Sequence, residues 1–249
     1  MIGAGFLRIV IAATLSTVFV IFVGFLIVLP LFTRAPVDGR RQIMLSFSVI
    51  EGEDVASWCS SLSLTLESCD VPATIYFVGK VVEEHPECVS FFGEEVDIGS
   101  QTFNNLNLTS ISDYSIQLEE VNRGKLAVDA AGNLYSRVFR APKGCTDENI
   151  YSLLSRNGIL ADFSYTSQYN VYLDDQFVRF DSVAYEGKSV SASSILSLES
   201  SSKPMIIHFD SEYPSELIYD YISLLKTGDF VFVNGSTLTG LNLTSRGER

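Results

Sequence analysis

From Ile43 onward the chain alternates short apolar runs with amphipathic ones, and this alternation restricts the fold more than any other feature. "IMLSFSVI", "VPATIYFVG", "VDIGS", "YSRVFRAPKG", "ILADFSY", "KPMIIHFD" and "DFVFVNGSTL" read as strands, rich in β-branched and aromatic residues. Between them lie segments of helical period. In "EDVASWCSSLSLTLESCD", Val55, Trp58, Cys59, Leu62 and Leu66 share one face. "KVVEEHPECVSFFGE" is helical with a proline near its middle, and "DYSIQLEEVNRGKLAVDAAG" and "SELIYDYISLLKTG" are amphipathic. "TDENIYSLLSRNG" opens on a cap and closes on Asn-Gly. Strand–helix alternation means βα units and a mostly parallel sheet. Seven or eight such units in one domain favour an α/β barrel over an open sheet, with ligands at the C-terminal ends of the strands.

Residues 9–33 carry no charge. As a helix they would span roughly 37 Å, enough for a hydrocarbon core of about 30 Å. A cleaved leader has a shorter apolar core and a small-residue cleavage site, and neither fits. The expected organisation is a tail at 1–8, a transmembrane helix at 9–33, a linker at 34–42, one domain at 43–240 and a tail at 241–249. Arg34, Arg40 and Arg41 after the span outnumber Arg8 before it, which favours a cytoplasmic domain. Three glycosylation sequons, at Asn107, Asn234 and Asn242, favour an extracellular one. The extracellular, single-pass arrangement is the expectation adopted.

The formal net charge of −13 argues against nucleic acid as a partner and against docking on anionic lipid. Cys59, Cys69, Cys88 and Cys145 match no zinc spacing. An external domain would allow one or two disulfides. Cys59 and Cys69 on one helix would stand roughly 15 Å apart, too far to bridge.

The order of the motifs then becomes informative. "VPATIYFVGKVVEEHPECVSFFGEEVDIGSQT", "FRAPKG", "ADFSY" and "MIIHFD" follow one another over about residues 45–233. Together they resemble the polysaccharide deacetylase family, the NodB-homology domains of carbohydrate esterase family four. The resemblance implies a distorted (β/α)7 barrel and metal-assisted amide hydrolysis. In that chemistry an Asp and two His hold a divalent ion, usually zinc, that activates water. A second Asp acts as base and a late His protonates the leaving amine.

Carried across residue by residue, this machinery is only half present. The family's T-F-D-D-G reads Ser46-Phe47-Ser48-Val49, so Ser48 stands for the base and Val49 for the metal carboxylate. The two histidines of its H-T-x-x-H are Gln101 and Asn105. Arg140, Pro142 and Gly144 match the arginine motif, Asp162 the orienting carboxylate, and His208 the leaving-group acid. Ile206 matches the acetyl-pocket position. Only one other histidine, His85, exists. Glu51 or Asp54, with Gln101 and Asn105, would make an all-oxygen set suited to Ca²⁺ or Mg²⁺ and poorly to zinc.

Each retained residue has a plainer reading beside the functional one. Arg140 and Asp162 pair either to grip a sugar or to fill the mouth. His208 at a buried strand end is a ligand contact or a satisfied core residue. Tyr165, Tyr169 and Tyr172 stack on pyranose rings or cover the barrel. The expected function is a membrane-anchored deacetylase-like protein without metal catalysis and with no bound cofactor, binding glycan or an envelope partner. The alternatives are an active carbohydrate N-deacetylase with an atypical metal site, and a purely structural or interaction module.

Overall fold

A computed structural model describes residues 40–164, 168–198 and 203–247. The expected span at 9–33, its flanking tail, most of the linker and Tyr165 lie outside the described residues. Among the described residues no helix is long and apolar enough to cross a membrane.

The chain opens with β1 (Arg41–Val49), α1 (Val55–Cys69) and β2 (Ala73–Phe77). The "EEHPE" segment breaks as its proline requires, into α2 (Gly79–Glu84) and α3 (Glu87–Ser90). Then follow β3 (Val96–Ser100), α4 (Tyr114–Gly132), β4 (Leu134–Ser136), β5 (Val138–Phe139), α5 (Glu148–Arg156) and β6 (Ala161–Asp162). The Asp113 side chain caps α4 and Asp147 caps α5.

The second half departs further from the expected pattern. The residues carrying Tyr169 and Tyr172, which match none of the strand runs, form a hairpin, β7 (Gln168–Leu173) and β8 (Gln176–Asp181), turned at Asp174 and Asp175 in the left-handed region. After β9 (Val183–Glu186), the serine-rich stretch contains α6 (Ala192–Leu196). The chain then forms β10 (Met205–Asp210), α7 (Ser215–Leu225), β11 (Phe230–Phe232), α8 (Gly235–Thr239) and β12 (Thr244–Arg246). Residues expected as a tail therefore join the fold, because β12 pairs antiparallel with β4.

The main sheet runs β8-β7-β6-β5-β3-β2-β1-β10-β9, and β11 pairs the start of β1. It is parallel from β6 to β9, and antiparallel only where β7 joins β6 and β8 joins β7. This is an α/β barrel-like fold. Among the described residues no pairing joins β8 to β9, so the sheet path stays open at that seam.

Side chains alternate across β1 and β10 and sort there into two cores. Ile43, Leu45, Phe47 and Val49 of β1 join Ile75, Phe77, Ile207 and Phe209 beneath α1 and α7. Met44, Tyr76, Ile206, Phe163 and Tyr169 form the other cluster on the inner face. The same alternation puts Ser46, Ser48 and His208 on the inner face, between apolar neighbours that face the helices.

Candidate functional site: a polar barrel mouth

The inner polar groups gather at the C-terminal ends of the strands. β1 and β10 pair in register as Ser46↔His208 and Ser48↔Asp210. On its other edge β1 pairs Ser48↔Tyr76 of β2. Ser46 Oγ and His208 Nδ1 share a hydrogen bond of 2.7 Å. His208 is 7% exposed. Burial, then the positive charges of Arg140 and Lys188, hold its pKa well below the usual histidine value. The imidazole is therefore neutral at pH 7.

Gln101 turns inward after β3, where its N–H donates to Phe77 O at 2.8 Å. Its side-chain amide donates to Ser48 Oγ. Gln101 Oε1, Tyr76 OH and Ser100 Oγ are buried without a hydrogen-bond partner. Buried polar atoms are rarely left so.

The Gln101 loop rests on α4. Glu120 accepts from the Asn104 N–H at 2.9 Å and from Asn104 Nδ2 at 2.6 Å. The Arg123 guanidinium lies 3.6 Å from the Phe103 ring centroid. Gly124 faces the loop backbone: a Cβ there would run into Gln101 O and stand 3.0 Å from the Thr102 carbonyl carbon. Gly124→Ala is expected to cost about 1–3 kcal/mol by overpacking and to pull Gln101 off Ser48. Urea denaturation of the purified variant measures the loss.

Arg140 is 6% exposed, and desolvation lowers its pKa. Its Nη1 donates to Phe163 O at 2.6 Å and its Nη2 lies 3.6 Å from Glu186 Oε1. The expected Arg140–Asp162 ion pair does not form. Asp162 instead accepts from the Ser164 N–H at 3.0 Å, from the Ser164 hydroxyl, and from Thr146 Oγ1 at 3.2 Å. Burial pushes its carboxyl up to about 6 against these bonds. Ser164 Oγ also accepts from Ala141 N at 2.8 Å, which locks the Arg-x-Pro-x-Gly turn to β6. Gly144 in that turn has φ 67°, and a Cβ there would meet Ser164 O.

Other expected positions separate. Val49 is fully buried in the helix-facing core, so a carboxylate's place in the motif points away from the mouth. Asn105 is exposed at φ 57°, while Gln101 is buried. Ile206 is buried in the inner apolar cluster. Tyr169 is 6% exposed and stacked between Phe163 at 5.2 Å and Phe180 at 5.5 Å, so it fills core and offers no platform to a sugar. Tyr172 packs on Phe177 at 5.2 Å. Glu51 is bound by Lys80 at 2.8 Å, His85 lies 3.5 Å from Glu87, and Asp54 is exposed.

Two of the three sequons are reachable. Asn242 is exposed and Asn107 half-buried, whereas Asn234 is 8% exposed. Its Oδ1 caps α8 at Thr237 N and its Nδ2 donates to Glu95 O. The folded Asn234 amide is thus committed at both ends. Tyr76, Glu186, Ser46 and Ser164 are the site groups that sequence reasoning missed. The two serines lay inside quoted motifs, but Glu186 reaches Arg140 only because β9 pairs with β10.

A family model described as polysaccharide deacetylase matches residues 37–161. The chain belongs to the polysaccharide deacetylase family. Solved structures agree on the fold. A family 4 carbohydrate esterase from Streptomyces lividans in complex with acetate superposes with a TM-score of 0.58 at 15% identity, covering 77% of this chain and 91% of that one. The peptidoglycan deacetylase PdaC from Bacillus subtilis gives 0.59 at 15% identity, covering 81% and 91%. A CE4 family pseudoenzyme from Bacillus anthracis gives 0.61 at 14% identity, covering 80% and 66%.

The polysaccharide deacetylase ion is a poor fit to these side chains. The described residues hold no group of three or more His, Cys, Asp or Glu that could ligate one. Of the motif positions, Val49 has no donor, Ser48 and Gln101 are neutral and bonded to each other, and Asn105 is exposed. A neutral amide–hydroxyl pair suits zinc badly.

Proposed function

We propose that this polysaccharide deacetylase family member binds glycan through the barrel mouth and does not hydrolyse it. The supporting observation is the Gln101–Ser48 hydrogen bond in the place of metal and base, beside a retained Arg140 and His208. Arg140 and His208, each still slightly exposed, suit the hydroxyls and acetamido oxygen of a sugar. Residues 9–33 would anchor the chain in a membrane with the domain outside, where envelope polysaccharide is met. Asn107 and Asn242 would then be open to glycosylation.

Full-length protein in detergent, titrated calorimetrically with N-acetylated chito-oligosaccharide, tests the reading. Binding is expected without acetate release and without change on adding a chelator. Arg140→Ala is expected to weaken it at least tenfold, about 1.4 kcal/mol. Chelator-sensitive release of acetate would instead establish an active N-deacetylase. No binding, with capture of a specific envelope protein, would leave an interaction module.

A further inference from the structure

The helix-facing core holds three thiols that the barrel mouth does not use, and two of them stand together. Cys59 on α1 and Cys88 on α3 are each fully buried in it, and α1 and α3 pack together. They meet at one carbonyl. Val55 O, four residues before Cys59, takes the helical N–H of Cys59. Cys88 Sγ lies 3.8 Å from that same oxygen. A helical side chain leans back over the turn that precedes it, so the Cys59 sulfur is carried toward Cys88. The Cys59 thiol is pushed up by hydrogen bonding to Cys88 as donor, followed by burial.

The other two cysteines are placed differently. Cys69 stands ten residues further along α1, roughly 15 Å from Cys59. Cys145 lies on the arginine turn, half-buried, with its Sγ 3.5 Å from Lys143 O.

We propose that Cys59 and Cys88 form a disulfide that staples α1 to α3. Two S–H bonds break and one S–S bond forms. The two protons and two electrons pass to a disulfide oxidant, which leaves as a dithiol or a pair of thiols. Because both sulfurs are sealed from solvent, the exchange belongs to folding, before the core closes. The staple would close a segment containing β2 and α2, ahead of the strand that delivers Gln101. It rests on core packing and stands whether or not the mouth binds glycan.

The test is refolding of the full chain in reduced and oxidised glutathione, then alkylation under denaturing conditions and peptide mapping by mass spectrometry. Two of the four cysteines are expected to resist alkylation until reduction, with the Cys59 and Cys88 peptides joined. Cys88→Ala is expected to leave three alkylated thiols. Four alkylated thiols in the refolded wild-type protein, or a link between any other pair, would overturn the proposal. The wild-type map decides the matter even if the variant does not fold.

Discussion

Phe47→Ala is expected to lower the unfolding free energy by about 3–5 kcal/mol, the range for removing a buried phenylalanine. Phe47 is fully buried, stacks on Phe209 with ring centroids 5.5 Å apart, and meets Trp58 edge-on at 6.4 Å. It joins β1, β10 and α1 in one contact. For a domain of this size the loss corresponds to a fall of roughly 6–20 °C in Tm. Functional damage should follow, because Ser46 and Ser48 flank Phe47 and take their position from its burial. Calorimetry of the variant, together with an oligosaccharide titration, checks both effects. A variant with wild-type Tm would mean that this face of β1 does not hold the barrel together.

The second large effect is a pair of opposed pH dependences that single variants separate. Asp162 has a native pKa of about 6 against an ordinary value of 3.8. Between those values the folded state binds the proton that the unfolded state has lost. Its contribution is therefore favourable at low pH and is lost as pH rises through 6, by on the order of 3 kcal/mol. His208 works in the other direction. Its native pKa is well below 6.5, so below that pH the unfolded chain takes up a proton that the folded chain refuses. Stability from His208 is present above 6.5 and falls as pH drops.

The two slopes oppose each other where they overlap below pH 6. Asp162→Asn is expected to become steadily more stable as pH rises through that window. His208→Gln is expected to lose stability over the same rise. Asp97, whose carboxyl burial also pushes up, adds to the second trend in both variants, so the difference between the two is the readout. Urea midpoints at half-unit pH steps measure it. Parallel profiles for the two variants would refute the assigned protonation states.

Much of the barrel was legible before any coordinates, for a local reason. Strand and helix periods are written in runs of five to fifteen residues, and α1, α5 and β10 carry theirs intact. The β7–β8 hairpin was missed because its outer strand is half-exposed and its turn uses two aspartates in the left-handed region, a weaker signal than Asn-Gly. The joining of β12 to β4 was equally invisible. A three-residue strand has almost no period, and its partner is far away in sequence.

The mouth divides along the same line. The motif order alone pointed to Arg140, Asp162, His208, Ser48 and Gln101, since these sit inside recognisable segments. It could not say that Arg140 would take Glu186 and Phe163 O while Asp162 took Ser164 and Thr146. Nor could it say that Asn234 would disappear into a helix cap.

By itself the sequence determined which polar side chains lie at the strand ends, because alternation along a strand is a property of each residue and its immediate neighbours. Partnership was decided only by the tertiary structure. It depends on which strands the sheet order brings side by side, and on how far burial then penalises any polar atom left without a bond.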